Sequence, residues 1–235
     1  MRNKMKKVKG LLFDFNGTLF FDSKMHISIF QEYFAEHGKM PPSAEFVVKN
    51  IFGTSNSHIY STYFAKDEND NNWESFAEDK EGRYRQFCLD HPEQMKYTDG
   101  VDEFFDYLKQ NGIPYAIATG TGLDNVEFYF EKMNLGRWFT MDNIVYSDGT
   151  YPGKPEPDIW QIAAKKIGLD VTECAVFEDG TNGIIAAHKA DAASVVCVYD
   201  HDLPSPLVDG LTADRVYPDF TKWKEMLEYL GFEVK

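Results

Sequence analysis

The apolar residues of this chain form two kinds of pattern, which alternate along most of its length. Five short apolar runs predict strands, because a strand covered on both faces carries nearly continuous apolar sequence. They occupy residues 8–13, 113–119, 143–146, 174–177 and 194–199. Apolar residues at helical spacing predict helices over 101–110, 123–134, 157–167, 181–189 and 220–230. This alternation predicts an α/β fold, a doubly wound, Rossmann-like parallel sheet.

Residues 21–92 interrupt the alternation, because they carry helical patterns and no strand pattern. The helical stretches are indicated at 27–36, 44–51, 59–64 and 73–89. The whole segment lies between the first and second predicted strands. We therefore predict a helical cap domain at 21–92, inserted into a core domain made of 1–20 and 93–235. We expect this cap to close over one edge of the sheet.

Polar residues follow three of the predicted strands, at the point where each strand ends. They are Asp14, Asn16 and Thr18 after the first strand, Thr119 and Thr121 after the second, and Glu178 and Asp179 after the fourth. In a parallel sheet these ends share one edge, where ligands bind. Lys154, in the loop before the fourth strand, adds a cation. A nucleophilic carboxylate, a hydroxyl, a lysine and an acidic pair suit phosphoryl transfer with Mg²⁺.

Each of these residues has a simpler explanation when it is taken alone. Thr119 would cap the following helix. Lys154 would be a surface lysine beside a proline turn. Glu178 and Asp179 would place favourable negative charge at a helix N-terminus. The shared position and order of the residues favour a functional site over these separate explanations.

The net charge of −14 limits the classes of binding partner that the chain can have. It argues against nucleic acid or an anionic membrane, and it requires a metal ion or a placed lysine wherever a phosphate binds. No apolar run approaches a membrane span of roughly 18 residues. The basic residues at 1–7 precede an apolar stretch too short for a signal peptide. We expect a cytoplasmic monomer with three free thiols at Cys88, Cys174 and Cys197.

The chemistry-bearing residues fall into four motifs that resemble those of the haloacid dehalogenase superfamily of hydrolases. The motifs are Asp14-Phe-Asn-Gly-Thr18, Ala118-Thr119, Gly153-Lys154-Pro155, and Phe177-Glu178-Asp179 with Gly183-Ile184 following. They come in the family's order, and the helical insert lies where the β-phosphoglucomutase-like branch carries its cap. The last two motifs resemble signatures of that branch, with Gly180 in place of a serine.

The resemblance implies a role for each motif. Asp14 would be the nucleophile and a Mg²⁺ ligand, and Asn16 would offer its main-chain carbonyl to the metal. Asp179 would bind the metal directly, and Glu178 directly or through water. Thr119 and Lys154 would hold the transferring phosphoryl group. The expected substrate-binding residues are Thr18, Thr121, Gly122 and Asn125 near the phosphate, with His26 and Asn56 on the cap.

Two positions depart from the family's pattern. The second aspartate of the first motif, which the family uses as general acid and base, is Asn16 here, and an amide cannot exchange a proton at neutral pH. General acid–base help is worth ~10²–10⁴ in rate. Asn16 therefore implies a slow enzyme, a substrate with a good leaving group, or an engineered replacement of aspartate. On the cap, Asn56 stands where the mutases place an arginine.

These observations favour a Mg²⁺-dependent phosphatase that acts on a small phosphorylated metabolite through a phosphoaspartate. A sugar-phosphate mutase of the β-phosphoglucomutase type is the enzymatic alternative, and Asn56 counts against it. A catalytically impaired protein that binds a phosphorylated ligand is the alternative from another class. Asn16 favours this last alternative, whereas the retained Asp14, Lys154 and Asp179 speak against it.

Overall fold

The computed structural model describes residues 7–234, so most of the basic N-terminal stretch lies outside the described residues. Its sheet has six strands: β1 (Gly10–Phe13), β2 (Tyr115–Ala118), β3 (Ile144–Val145), β4 (Cys174–Glu178), β5 (Ser194–Val198) and β6 (Arg215–Tyr217). Their order is β3-β2-β1-β4-β5-β6, and every neighbouring pair is parallel. The predicted α/β fold is therefore confirmed.

The strand β6 is absent from the sequence prediction. Its three residues are Arg215, Val216 and Tyr217, and the first two are exposed at the edge of the sheet. Such a short edge strand has neither the continuous apolar run of a buried strand nor a clear alternation. Its pairing with β5 fixes its conformation, and a single-sequence pattern does not contain that information.

Nine α-helices accompany these strands within residues 7–234. They are α1 (Ser23–Glu36), α2 (Ala44–Asn50), α3 (Asn56–Tyr63), α4 (Trp73–Asp90), α5 (Val101–Gln110), α6 (Leu123–Lys132), α7 (Asp158–Lys166), α8 (Thr181–Lys189) and α9 (Trp223–Tyr229). The first four lie between β1 and β2. Of the other five, α5 precedes β2 and α6 to α9 follow β2, β3, β4 and β6, and together they cover the two faces of the sheet.

The strand β1 lies at the centre of the sheet and is packed on both faces. Successive side chains of a strand alternate, so Phe13 packs with α5, α6 and α9, whereas Leu12 packs with α7 and α8. The ring of Phe13 stacks on Phe177 of β4, with centroids 4.6 Å apart. Burying such a side chain contributes roughly 1.5–3 kcal/mol. This packing fixes the point at which β1 ends and Asp14 begins.

The helices α1 to α4 have an apolar cluster of their own. Its buried members are Ile27, Phe30, Tyr33, Phe34, Val47, Ile51, Ile59 and Phe76. Tyr84 and Cys88 of α4 instead pack with the cluster on the sheet. The four helices thus form a separate layer that α4 joins to the sheet, while the exact bounds of a cap domain stay a prediction.

Two further observations concern the cysteines and the membrane. Cys88, Cys174 and Cys197 are free and buried, in agreement with the prediction. Among residues 7–234, no helix combines the length and the apolar character that crossing a membrane requires.

Candidate active site

The centre of the site is the turn that follows β1. Asp14 is the first residue after the strand, and its main-chain N–H donates to the carbonyl of Phe177 over 2.9 Å. Gly17 has a φ of +84°, and a Cβ atom at this residue would lie 2.0 Å from Oδ2 of Asp179. Only glycine permits both this conformation and this approach. The turn therefore brings Asp14 and Asp179 together.

Three carboxylates meet at this edge of the sheet. Asp14, Glu178 and Asp179 each place a carboxylate oxygen within 4.8 Å of the others. Oε2 of Glu178 accepts the main-chain N–H groups of Asp179 (2.7 Å) and Gly180 (3.2 Å). A Cβ atom at Gly183 would lie 1.3 Å from Oε1 of Glu178, so this glycine leaves the space that the side chain occupies.

Lys154 lies among these carboxylates. Its Nζ atom is 2.5 Å from Oδ1 of Asp14 and 2.9 Å from Oε1 of Glu178, and its side chain is 3% exposed. The ammonium group also lies 4.7 Å from the ring centre of Trp160 on α7. We call Asp14, Lys154, Glu178 and Asp179 the Asp14 cluster.

The charges of the Asp14 cluster do not balance, because three carboxylates surround one lysine. Burial raises the pKa of Asp14 to about 7; Lys154 opposes this rise and Glu178 adds to it. Burial and then Glu178 also raise the pKa of Asp179 well above its usual range. The pKa of Lys154 is raised, because Asp14 and Glu178 outweigh the effect of its burial. The cluster therefore has a deficit of positive charge.

Asn16 lies next to this cluster with its amide held from two sides. Its Nδ2 atom donates to Oδ2 of Asp22 (2.5 Å) and to the hydroxyl of Tyr129 (2.7 Å). Its Oδ1 atom accepts a hydrogen bond of 3.3 Å from the hydroxyl of Thr119. The main-chain N–H of Thr121 donates to that same hydroxyl over 3.3 Å. The N–H groups of the Asn16 side chain are thus occupied by Asp22 and Tyr129.

A second polar group surrounds the carboxylate of Asp22, which is completely buried immediately before α1. Its Oδ2 atom also accepts from the hydroxyl of Tyr84 (2.6 Å) and lies 3.2 Å from Nε2 of His26. The hydroxyl of Tyr129 donates to that of Tyr84 over 3.1 Å. Oδ1 of Asp22 has no hydrogen-bond partner among the described residues. We call Asn16, Asp22, His26, Tyr84 and Tyr129 the Asp22 cluster.

Both clusters open into one cleft of about 820 Å³, part of which is open to solvent. Its far wall belongs to α1, α3, α4 and the loop after α2. This wall is apolar at Phe30, Ile51, Phe52 and Ile59, and polar at His26, Asn56, Lys80 and Glu81. A cleft with this mixed lining suits a small organic ligand.

The polar groups of the far wall are paired with one another. Oε1 of Glu81 lies 2.5 Å from Nζ of Lys80 and accepts from the amide of Asn56 over 3.1 Å. Burial raises the pKa of Glu81, but Lys80, His26 and Asn56 outweigh it and hold this pKa at about 2. Glu81 therefore remains ionised, and it binds both the ammonium group of Lys80 and the amide of Asn56.

Nine of the predicted site residues line the cleft. They are Asp14, Asn16, His26, Asn56, Thr119, Thr121, Lys154, Glu178 and Asp179. Three predicted substrate-binding residues lie outside the lining. Thr18 is completely buried and donates to Oδ1 of Asp179 over 3.1 Å, which orients that carboxylate. Gly122 precedes α6, and the amide of Asn125 donates to Thr121 (2.8 Å) and Glu81 (2.9 Å).

Several residues in or beside the cleft were not singled out from the sequence. Tyr84 and Tyr129 lie on helices where an aromatic residue at apolar spacing is indistinguishable from ordinary core. Lys80 and Glu81 belong to a charged run of α4, which is typical of a solvated helix face.

The comparisons with known proteins concern the family and the fold of the chain. The sequence profile described as "haloacid dehalogenase-like hydrolase" matches residues 11–197. The chain belongs to this family. A structure from Entamoeba histolytica, titled a HAD hydrolase of family IA, variant 3, is 32% identical and superposes with a TM-score of 0.81. The match covers 96% of this chain and all of that one.

Two further relatives bear on the reaction and on the fold. The fructose-1-phosphate phosphatase YqaB of Escherichia coli is 26% identical over 190 residues, which cover 81% of this chain and 96% of that protein. A β-phosphoglucomutase structure from Clostridium difficile is 16% identical, with a TM-score of 0.75 and coverage of 95% of this chain and 97% of that one. The second likeness concerns the fold of this haloacid dehalogenase-like hydrolase and not its reaction.

Proposed function

We propose that this chain is a Mg²⁺-dependent phosphatase that transfers the phosphoryl group of a small phosphorylated metabolite to Asp14 and then to water. The observation that carries the proposal is the Asp14 cluster, in which a buried carboxylate at a strand end faces a lysine and two further carboxylates in a ligand-sized cleft. The phosphatase among the relatives supports the same reaction class.

The donor set of the Asp14 cluster fits a hard divalent cation. Its available ligand atoms are oxygens, which Mg²⁺ prefers. The negative charge of its three carboxylates exceeds the single positive charge of Lys154. Asp14, Asp179 and the main-chain carbonyl of Asn16 would hold the ion, with Glu178 as a direct or water-mediated ligand. When bound, the ion would neutralise charge on the transferring phosphoryl group.

The residues of this chain then have separate tasks. Asp14 attacks phosphorus as the bond to the leaving oxygen breaks, which gives an acyl phosphate on its carboxylate. The ammonium group of Lys154 and the hydroxyl of Thr119 bind phosphoryl oxygens and stabilise the charge that develops on them. Thr18 keeps Asp179 in position through its hydroxyl. Water afterwards attacks phosphorus and releases Asp14.

We also propose that α1 to α4 act as a cap over the cleft. These helices have their own apolar cluster and supply the far wall. Closure would bring His26 and Asn56 towards the substrate and exclude bulk water. At the junction, the amide of Asn182 on α8 donates to the carbonyl of Phe52 over 3.0 Å, so the loop after α2 already contacts the core.

A phosphatase fits the far wall better than a phosphomutase. A mutase must hold a second phosphate away from the reacting one, and this requires a cation with free hydrogen-bond capacity. Within residues 7–234 the cleft lining contains no arginine, and Lys80 is paired with Glu81. The amide of Asn56 is occupied by the same glutamate. Among the described residues of this wall, the ion pair with Glu81 offsets the charge of Lys80, and this disfavours the binding of a second phosphate.

The test is phosphate release from a panel of phosphate monoesters, with Mg²⁺ and with a chelator. We expect Mg²⁺-dependent release by the wild-type protein and a loss of about 10⁴-fold or more in Asp14→Asn, because this variant lacks the nucleophile. Asp142→Asn, at an exposed residue outside the cleft, is the control and should keep full activity. Isomerisation of a sugar phosphate without release would support the mutase, and binding without turnover would support the impaired protein.

A further inference from the structure

The side chain of Asn16 offers no proton to the leaving oxygen of a substrate. Its N–H groups donate to Asp22 and Tyr129, and its carbonyl oxygen accepts from Thr119. An alkyl phosphate nevertheless needs a proton on its leaving oxygen, and the water that attacks the acyl phosphate must lose one. If the proposed function is correct, another residue of the cleft carries this proton.

The carboxylate of Asp22 determines which ring nitrogen of His26 is available. Its Oδ2 atom faces the amide of Asn16, the hydroxyl of Tyr84 and Nε2 of His26. An amide N–H can only donate, so Oδ2 is an acceptor. Nε2 of His26 therefore carries a hydrogen. No hydrogen bond within residues 7–234 occupies Nδ1, which is left to accept or donate a proton.

The ring of His26 is fixed in orientation and reaches the cleft. It stacks on Tyr84 with centroids 4.3 Å apart and an interplanar angle of 11°, and the ring of Phe52 meets it edge-on at 6.5 Å. The side chain is 16% exposed and lines the same cleft as Asp14. His26 and Asn16 contact the same oxygen atom of Asp22, so one atom separates the imidazole from the side chain at residue 16.

We propose that His26 is the general acid and base of this phosphatase and that Asp22 is its positioning residue. The inference rests on the proposed function. As the bond from phosphorus to the leaving oxygen breaks and the bond to Asp14 forms, the proton on Nδ1 of His26 passes to the leaving oxygen and gives the alcohol. Water then attacks phosphorus, its proton passes to Nδ1, and the bond from Asp14 to phosphorus breaks. The cycle returns both side chains to their starting states.

The test compares His26→Gln with the wild-type protein on two esters. Ethyl phosphate has a strongly basic leaving oxygen, whereas p-nitrophenyl phosphate needs almost no proton at departure. We expect His26→Gln to slow single-turnover release of ethanol by about 10²–10⁴-fold. The initial burst of p-nitrophenol should slow by less than tenfold. Because hydrolysis of the acyl phosphate also needs the base, intact mass should show phosphorylated protein accumulating with p-nitrophenyl phosphate, whose first step stays fast.

His58→Gln is the matched control, since His58 is exposed on α3. It should behave as the wild-type protein does. If His26→Gln slows alcohol release from both esters equally, His26 only supports the structure of the cleft and the inference is overturned. Unchanged release rates in this variant would overturn it as well. Wild-type protein that releases alcohol from neither ester would overturn the proposed function and this inference together. If the wild-type protein hydrolyses the esters and His26→Gln does not change the rates, only the inference about His26 is overturned and the proposed function stands.

Discussion

The two polar clusters of the cleft are built from different chemistry. The Asp14 cluster contains three carboxylates and one lysine, all supplied by strand ends and one loop. The Asp22 cluster contains one carboxylate whose Oδ2 atom is surrounded by an amide, a hydroxyl and an imidazole from the turn after β1 and from helices. The first cluster lacks positive charge, whereas hydrogen-bond donors surround the single carboxylate of the second.

This difference assigns different tasks to the two sides. A cluster with excess negative charge becomes stable when it gains a cation, so the Asp14 side is suited to a metal and a phosphoryl group. A carboxylate oxygen that accepts hydrogen bonds from several oriented donors holds these neighbours in place. The Asp22 side is therefore suited to positioning a proton. The predictions below test each side of this comparison, in order of expected effect.

The largest effect is expected for Lys154→Met in metal-free protein. The change leaves Asp14 and Glu178 buried without their cation, and removal of one partner of a buried ion pair costs about 3–5 kcal/mol. Lys24→Met is a matched control, because Lys24 also contacts two carboxylates, those of Asp200 and Asp202, but is 54% exposed. It should cost about 1 kcal/mol or less.

Urea unfolding with a chelator present measures both costs. Repeating the experiment with Mg²⁺ sharpens the comparison, because a cation held by the carboxylates should reduce the cost of Lys154→Met and leave that of Lys24→Met unchanged. Equal costs for the two variants would contradict the view that the Asp14 cluster has too little positive charge.

The Asp14 cluster was also the part of the site that the sequence made predictable. Asp14, Glu178 and Asp179 each follow an apolar run, and the parallel sheet brings the ends of such runs to one edge. The motif order adds the position of Lys154. Local sequence therefore contains the necessary information, because the geometry of the sheet converts a position at a strand end into a position in the site.

The Asp22 cluster was not predictable in the same way. His26 was expected in the site, but the hydroxyl groups that bind Asp22 and Asn16 belong to Tyr84 and Tyr129, which lie 62 and 113 positions away from these partners. Both tyrosines follow the apolar period of their helices, and their hydroxyl groups acquire a role only when α4 packs on the sheet. Thr18 is a different case. Its position in the first motif predicted a contact with the substrate, but its side chain is completely buried.

The second prediction concerns the metal. Mg²⁺ at about one hundred times its dissociation constant should stabilise the folded protein by about 2.7 kcal/mol. Asp179→Asn should lose most of this stabilisation, because one ligand charge is removed from the cluster. Asp219→Asn, at a residue outside the cleft lining, should retain it. Thermal unfolding over a Mg²⁺ titration measures the shift for each protein, and the same Mg²⁺ dependence in all three would contradict the proposed ligand set.

The last prediction tests the Asp22 cluster through Asn16→Asp. The change puts a carboxylate oxygen where Nδ2 of Asn16 now lies 2.5 Å from Asp22. Two carboxylates at this distance cannot both be ionised, so the pair keeps one proton and the pKa of the new group rises. The unfolded chain loses this proton near pH 4, whereas the folded pair keeps it to higher pH. The unfolding free energy of the variant should therefore fall relative to wild type as pH rises from about 4 to about 6.

The expected deficit at pH 8 is about 1–3 kcal/mol, which corresponds to a pKa rise of about one to two units. Urea unfolding at pH 4.5 and pH 8, with a chelator present, measures it. The double variant Asn16→Asp with Asp22→Asn is the control, because it exchanges the two side chains and restores one carboxylate beside one amide. We expect it to recover most of the stability at pH 8. A deficit of the same size at both pH values would show that the new carboxylate does not share a proton with Asp22, and the account of Oδ2 of Asp22 as the acceptor for the side chain of residue 16 would then be wrong.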